Sequence, residues 1–243
     1  MTTLDLTNTA NGIFSLVFIC LSTIVGLKVA HRYLETKKTT PLWIGIAWII
    51  IPSPWYGSAA SFLVALITGN GLDLRTYIFI ANFLPPFYMI FLIAAFTDFY
   101  YNEKQKLFVL ISFIVGIIFE IYIIYYVIVD PKVIGELHGI IDIEYKGIWR
   151  MYLVVNIILI CIIGISIAIN SLESKTHDIR LRGIFLLLAF VSFTIGAFMD
   201  AALPLSILTL TIARILLISS AIEFYFGFVL PKWFKEKVLK EVN

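Results

Sequence analysis

Seven apolar stretches of membrane length divide the chain, and they constrain its fold more than any other feature. A helix needs about 20 apolar residues to cross a bilayer core, and none of these stretches shows the alternation of a barrel strand. They are Ile13–Ala30, Leu42–Ile67, Tyr77–Phe96, Leu107–Val129, Ile148–Ile169, Gly183–Leu203 and Leu205–Leu230. We therefore predict an all-α polytopic membrane protein with seven transmembrane helices, forming a single domain over residues 1–243.

Composition agrees with a chain solvated mainly by lipid. Hydrophobic residues make up 60% of the chain and charged residues only 14%, whereas soluble domains carry about 25% charged residues. The bilayer is thus the main expected partner. No block of lysine and arginine is dense enough to bind nucleic acid. Residues 1–11 lack the basic region of a signal peptide, so the first stretch is expected to remain in the mature protein.

The distribution of lysine and arginine between the connections predicts the orientation, since cytoplasmic loops are enriched in both. One side carries Lys28, Arg32, Lys37, Lys38, Lys104, Lys106, Lys175, Arg180, Arg182, Lys232, Lys235, Lys237 and Lys240. The other carries Arg75, Lys132, Lys146 and Arg150. We expect an external amino-terminal tail at 1–12 and a cytoplasmic tail at 231–243, in a protein of the cell membrane.

The longest connection, residues 130–147, follows the fourth stretch and reads DPKVIGELHGIIDIEYKG. On the predicted topology it lies outside. We interpret it as a lid over the outer mouth of the bundle, built as a short hairpin or a re-entrant turn.

Two charged residues fall near the centre of predicted helices, Glu120 in the fourth and Arg214 in the seventh. A charge at that depth costs at least about 2.5–3.5 kcal/mol. Both lie slightly outward of the helix midpoint, so we expect them to pair. Such a pair either locks two helices together or lines a ligand or proton site.

Further polar residues lie at comparable depths. Asn82, Asn156 and Asp200 fall in the outer halves of their helices and, with Glu120 and Arg214, would form an outer polar layer or pocket under the lid. In the inner third, Glu223 is expected to find a partner in Lys28, which would couple the last helix to the first.

Proline interrupts the second and third stretches. Pro52 and Pro54 lie in one, Pro85 and Pro86 in the other, and each proline removes a backbone donor and kinks a helix. Ser53, Gly57 and Ser61 recur every four residues, a spacing of small residues that permits close helix approach. The prolines either fit two kinked helices together or mark discontinuous helices lining a substrate path.

Motifs of common catalytic sites are missing, including GxSxG, HExxH, the P-loop and GxGxxG. The three histidines are scattered, and Cys20 and Cys161 lie singly in apolar stretches. We expect no catalysis, no bound metal and no cofactor. The seventh stretch also has no lysine for a retinal Schiff base.

Parts of the chain resemble a known sensor family. PLW at 41–43, Trp48, FLPPFYMIFLIAAFTDFY at 83–100 and IEFYFGFVLPKWFKEKV at 222–238 are similar to the amino-terminal seven-helix sensor region of prokaryotic histidine kinases. The resemblance implies a receptor-like bundle. Because the sequence has no kinase region after its last helix, the signal is expected to pass to a separate membrane or cytoplasmic protein.

Two other functions stay open. Seven helices with an external amino terminus also match SWEET sugar transporters, whose parallel repeats should carry proline in corresponding segments. Here the later segments have only Pro204 and Pro231 at their ends, and no PQ dipeptide occurs. The chain could alternatively serve as a structural subunit of a larger membrane complex.

Overall fold

The computed structural model describes residues 4–203, 206–231 and 233–235. Its helices are α1 (Leu6–Thr36), α2 (Thr39–Ile50), α3 (Tyr56–Thr68), α4 (Leu74–Asn82), α5 (Pro85–Tyr100), α6 (Gln105–Val129), α7 (Gly147–Leu172), α8 (His177–Ala202) and α9 (Ile207–Phe228). Two strands, β1 (Gly135–His138) and β2 (Asp142–Tyr145), lie between α6 and α7. In the described residues, α2–α3 and α4–α5 each make one span, and seven spans are long and apolar enough to cross a membrane.

The spans form a ring with one span outside it. Helix α1 packs against α2 and α9, α9 against α8, and α8 against α7, while α5 closes the ring between α2 and α7. Helix α6 packs on α4 and α5. Only 17% of its most apolar window is buried, against 56% for the α2–α3 and α4–α5 spans. It is therefore the peripheral helix of the bundle.

Both proline pairs interrupt their spans. After α2, a 3-10 turn at Ser53–Trp55 leads into α3, because Pro52 and Pro54 cannot donate to the helical hydrogen-bond ladder. In the next span α4 ends at Asn82, and Pro85 and Pro86 begin α5, where a missing backbone donor has no cost. The predicted interruptions are confirmed at both positions.

The connection at 130–147 contains an antiparallel β-hairpin, in which Gly135 pairs with Tyr145 and His138 with Asp142. Its turn is anchored on the neighbouring helices. Ser61 donates a hydrogen bond to the carbonyl of Ile140 at 2.5 Å, and the Tyr77 hydroxyl donates to that of Ile141 at 3.1 Å. We call the end of the bundle that carries this hairpin the hairpin end, and the end at which α9 terminates the tail end.

Aromatic side chains fill the interior between the middle of the bundle and the tail end. Trp48 of α2 is 2% exposed, and its ring stacks on that of Phe224 in α9, with 3.6 Å between centroids. Phe190 of α8 meets Trp48 edge-on, with 6.1 Å between centroids. Trp48, Phe190 and Phe224 come from three different spans and form what we call the aromatic cluster. Their rings fill the interior of the bundle along its axis.

The helix bounds correct parts of the prediction. Residues 6–12 are helical and belong to α1, because Asp5 caps the helix by accepting a hydrogen bond from the backbone N–H of Asn8 at 2.7 Å. At the other end of the chain, α9 terminates at Phe228. Pro204, Leu205, Lys232, Lys237 and Lys240 lie outside the described residues, as does most of the predicted tail at 231–243.

Candidate functional site

A cavity of about 850 Å³ opens inside the hairpin end of the ring. Small-molecule sites usually occupy roughly 300–1,000 Å³. Its walls come from the start of α1, the broken α2–α3 span, α4, α5, α7, the ends of α8 and α9, and the β-hairpin. The space is therefore a central cavity of the bundle and not a groove between two helices.

Arg214 of α9 is the centre of the charged part of this cavity. Its side chain is only 1% exposed, and its Nη1 lies 3.1 Å from Oδ2 of Asp200 in α8. Nη2 donates a hydrogen bond to Oδ1 of Asn11 in α1 at 2.7 Å. Trp55 lies under the guanidinium group, 5.6 Å from ring centroid to Cζ, and its Nε1 donates to the same Asp200 oxygen at 2.8 Å. Four spans thus converge on one ion pair.

One polar group at the cavity has no hydrogen-bond partner in the described part of the chain. The Arg214 Nε is buried and unpaired, and Arg214 lines the cavity. Leaving such a group unpaired costs about 1–3 kcal/mol. A polar ligand would remove that cost.

Asp142 of β2 adds a second carboxylate on the cavity wall. Burial, the larger cause, and the nearby Asp200 carboxylate together raise its pKa to about 6, while Arg214 opposes the rise. The lining as a whole carries the carboxylates Asp5, Asp142, Glu144 and Asp200 against the guanidinium groups Arg150 and Arg214. The cavity is therefore net acidic when its histidine, His138, is neutral.

The predicted pairing of Glu120 with Arg214 is wrong. Glu120 lies on the peripheral helix α6, is 7% exposed, and has no hydrogen-bond partner for either carboxylate oxygen among the described residues. Arg214 is paired with Asp200 instead. The pairing fails because α6 packs on α4 and α5, outside the ring that encloses Arg214.

The expected outer polar layer separates into two groups. Asp200 and Arg214 line the cavity, and Asn82 and Asn156 do not. Asn82 of α4 accepts a hydrogen bond from Trp149 of α7 at 2.9 Å, which links two spans. Asn156 donates to the carbonyl of Tyr152 one turn earlier at 2.7 Å. Asn82 thus joins α4 to α7, whereas the hydrogen bond of Asn156 stays within α7.

The proline breaks also differ in what they border. Pro54 and Trp55 line the cavity, so the interruption of the α2–α3 span shapes the candidate site. At Pro86 the carbonyl faces Gly116 of α6, where an added Cβ would lie 2.7 Å from the oxygen. The break at Pro85 and Pro86 therefore fits α5 against α6.

The small residues after the first break have separate roles. An added Cβ at Gly57 would lie 2.6 Å from the Tyr77 ring, so glycine permits close packing of α3 on α4. Ser61 holds the hairpin turn, as described above, and also accepts a hydrogen bond from the backbone N–H of Leu72 at 2.9 Å. Ser53 is buried, and its hydroxyl has no partner within the described residues.

At the tail end, the predicted pair of Glu223 with Lys28 is also wrong. Glu223 accepts a hydrogen bond from Ser219 at 2.7 Å, and the Lys28 ammonium lies 4.9 Å from the centroid of the Tyr225 ring. The first and last helices are coupled by another contact. Arg32 of α1 and Arg182 of α8 both donate to the carbonyl of Phe228, where a helix C-terminus favours cations.

Several residues of the site were not predicted from the sequence. Asn11 falls within the predicted tail at 1–12 and Asp142 within the predicted lid at 130–147, and the sequence patterns do not single out Trp55. A polar residue in the first turns of an apolar helix, as at Asn11, was the available signal. No family model matches the chain, and neither a curated protein nor a solved structure matches it. The resemblance to histidine-kinase sensor regions therefore stays a prediction.

Proposed function

We propose that this protein is a receptor-like membrane bundle that binds a small molecule in the hairpin-end cavity and passes the signal to a separate membrane or cytoplasmic protein. The observation that carries the proposal is a cavity of about 850 Å³ with a buried ion pair, Arg214–Asp200, in its wall. With the orientation expected from lysine and arginine, the hairpin end faces the outside of the cell membrane. The proposal does not involve catalysis.

The contacts of three helices support transmission of a signal along the bundle. At the hairpin end, α1, α8 and α9 meet through Asn11, Asp200 and Arg214. At the tail end the same helices meet again where Arg32 and Arg182 bind the last carbonyls of α9. A ligand that changes the contacts at the hairpin end would bias the contacts at the tail end. A cytoplasmic partner would then respond to the change at the tail end.

Identifying the small molecules that remain bound to the protein through purification tests the proposal. Protein extracted directly into nanodiscs would be compared with Ala197→Phe, which fills the cavity from α8, and with Ile195→Phe, which adds the same ring on the exposed side of α8. Leu153→Trp fills the cavity from α7 in case Ala197→Phe does not fold. Mass spectrometry should find a compound in the wild type and Ile195→Phe that both filled variants lack. Equal amounts in all four proteins would contradict the proposal.

Transport is the second candidate, and the break beside Pro54 favours it because interrupted helices often border transport sites. The aromatic cluster of Trp48 and Phe224 closes the axis below the cavity, so transport would require that cluster to open. Uptake of sugars, amino acids and ions into proteoliposomes, with the Ala197→Phe variant as control, distinguishes the two functions. Uptake by the wild type alone would favour the transporter.

A further inference from the structure

Negative charge exceeds positive charge where Asp142, Asp200 and Arg214 line the cavity. Arg214 is committed to Asp200 and Asn11, so its positive charge is already matched by one carboxylate. Asp142 has no ion pair and accepts no side-chain hydrogen bond among the described residues. Its strand partner His138 is bound to Glu144, with 2.9 Å between Nε2 and Oε2. Among the described residues, two lining carboxylates therefore have no cation: Asp142, and Asp5, which caps α1 by accepting a hydrogen bond from the backbone N–H of Asn8.

The second guanidinium group of the lining does not fill that role. Arg150 donates to the carbonyl of Ala201 at 3.1 Å and is exposed at the end of α7. Its contact joins α7 to the last turn of α8 at the rim of the cavity. The carboxylate of Asp142 is thus the acceptor that a ligand's positive charge would meet.

Apolar and aromatic side chains form much of the rest of the wall, beside the polar residues Thr7, Asn8 and Ser58. Phe193 of α8 meets Trp55 edge-on, with 6.4 Å between ring centroids, and Leu153, Ile157 and Tyr88 line the cavity from α7 and α5. Such a surface accommodates an apolar body, and aromatic faces also attract cations. A fully hydrated metal ion or a simple anion would leave this surface without a partner.

The geometry points to an organic cation as the ligand: a protonated amine held by Asp142 beside the Asp200–Arg214 pair, with its apolar body against Phe193, Leu153 and Ile157. This inference rests on the proposed function and specifies the ligand class of that site. The Asp142 carboxylate has a backbone hydrogen bond from Ile143, and the ammonium group would add the cationic N–H donors that no side chain supplies among the described residues. The unpaired Arg214 Nε remains available for a neutral acceptor atom of the ligand.

Three compounds of one shape test the charge requirement. Tryptamine carries an ammonium group, tryptophol a hydroxyl and indole-3-propionate a carboxylate on the same indole body. Binding of tritiated tryptamine to protein in nanodiscs would be measured with the other two as competitors. Tritiated tryptamine should bind saturably. Tryptophol and indole-3-propionate should each need a concentration about tenfold or more higher than unlabelled tryptamine to displace it, since 1.4 kcal/mol corresponds to a factor of about ten.

Variants of the hairpin locate the charge. Asp142→Asn should weaken tryptamine binding about tenfold or more, and Asp142→Glu should retain it. Glu136→Gln is the matched control, because Glu136 lies on the other strand and pairs with Lys146 at 2.8 Å away from the cavity lining. It should leave the affinity unchanged. Thermal unfolding of each variant identifies any that is misfolded.

The pH dependence gives an independent readout. The charged and titratable groups facing Asp142 are Asp200, Arg214, His138, Tyr145 and Tyr77. Because burial raises the pKa of Asp142 to about 6, wild-type protein should bind tryptamine more weakly at pH of about 5 than at about 7.5. Asp142→Asn should lose that difference.

Three results would overturn the inference: no saturable tryptamine binding, tighter binding of indole-3-propionate than of tryptamine, or an unchanged affinity in Asp142→Asn. None of them decides the proposed function, which depends on the compound carried through purification by the wild type and lost in the filled variants. A copurified anion or neutral molecule would support the proposed receptor function and contradict the inference that the ligand is a cation.

Discussion

The two ends of the bundle interior are built from the same spans but packed differently. Toward the tail end Trp48, Phe190 and Phe224 fill the axis with stacked and edge-on rings. At the hairpin end those spans leave a cavity of about 850 Å³ with an ion pair in its wall. The change occurs at the break between α2 and α3. The bundle thus fills its interior with aromatic rings in one half and leaves a cavity bordered by a buried ion pair in the other.

Trp48→Ala tests the closed half and should have the largest effect. Truncating a buried aromatic side chain costs about 3–5 kcal/mol of unfolding free energy, and Trp48 contacts both α8 and α9 through Phe190 and Phe224. Unfolding in mixed detergent–SDS micelles would measure the loss. Trp233→Ala is the control, because that side chain is 63% exposed. Equal losses would show that the aromatic cluster does not hold the bundle together.

Arg214→Gln tests the ion pair of the open half. Removing one partner of a buried pair costs about 3 kcal/mol or more, since the other charge is left unpaired. Asp200→Asn should cost a similar amount, and the double variant less than the sum. The hairpin pair Lys146–Glu136 is the control, because its side chains are 40% and 50% exposed and such pairs contribute about 1 kcal/mol or less. Additive losses for Arg214 and Asp200 would contradict the pairing.

A pH titration of stability tests the acidic lining. Since the folded pKa of Asp142 is raised from 3.8 to about 6, the folded state binds more protons than the unfolded state between those values. The unfolding free energy therefore falls as pH rises through that window. Relative to Asp142→Asn, the wild type should gain on the order of 1–2 kcal/mol as pH drops from about 7 to about 4. Parallel pH profiles would show that Asp142 does not titrate in this way.

Glu120→Met should have the smallest effect of these substitutions. It tests whether the polar residue on the peripheral helix belongs to a functional site. Neither oxygen of Glu120 has a partner among the described residues, so an apolar side chain of similar length should raise the unfolding free energy by about 1 kcal/mol. Ile118→Met, at a 59% exposed position of α6, should change little. A clear loss in Glu120→Met would mean that Glu120 has a stabilising partner and that polar function extends to α6.

The number and approximate location of the membrane spans followed from hydropathy, because a bilayer imposes a minimum apolar length. The breaks at Pro52, Pro54, Pro85 and Pro86 were also predictable, since proline cannot complete the helical ladder. The predicted start of α1, Ile13, lies after the polar residue Asn11, yet Asn11 belongs to the helix and is fully buried. Hydropathy does not distinguish a polar residue in a tail from one inside a bundle.

By itself the sequence determined a seven-span membrane bundle with interrupted second and third spans, because those properties depend on local composition. The tertiary structure alone decided which polar residues meet. Depth along a helix can be counted from the sequence, but the direction in which a side chain points depends on how the spans are arranged. Glu120 lies on α6, outside the ring that encloses Arg214, whereas Asp200 and Arg214 lie on adjacent helices and face one cavity.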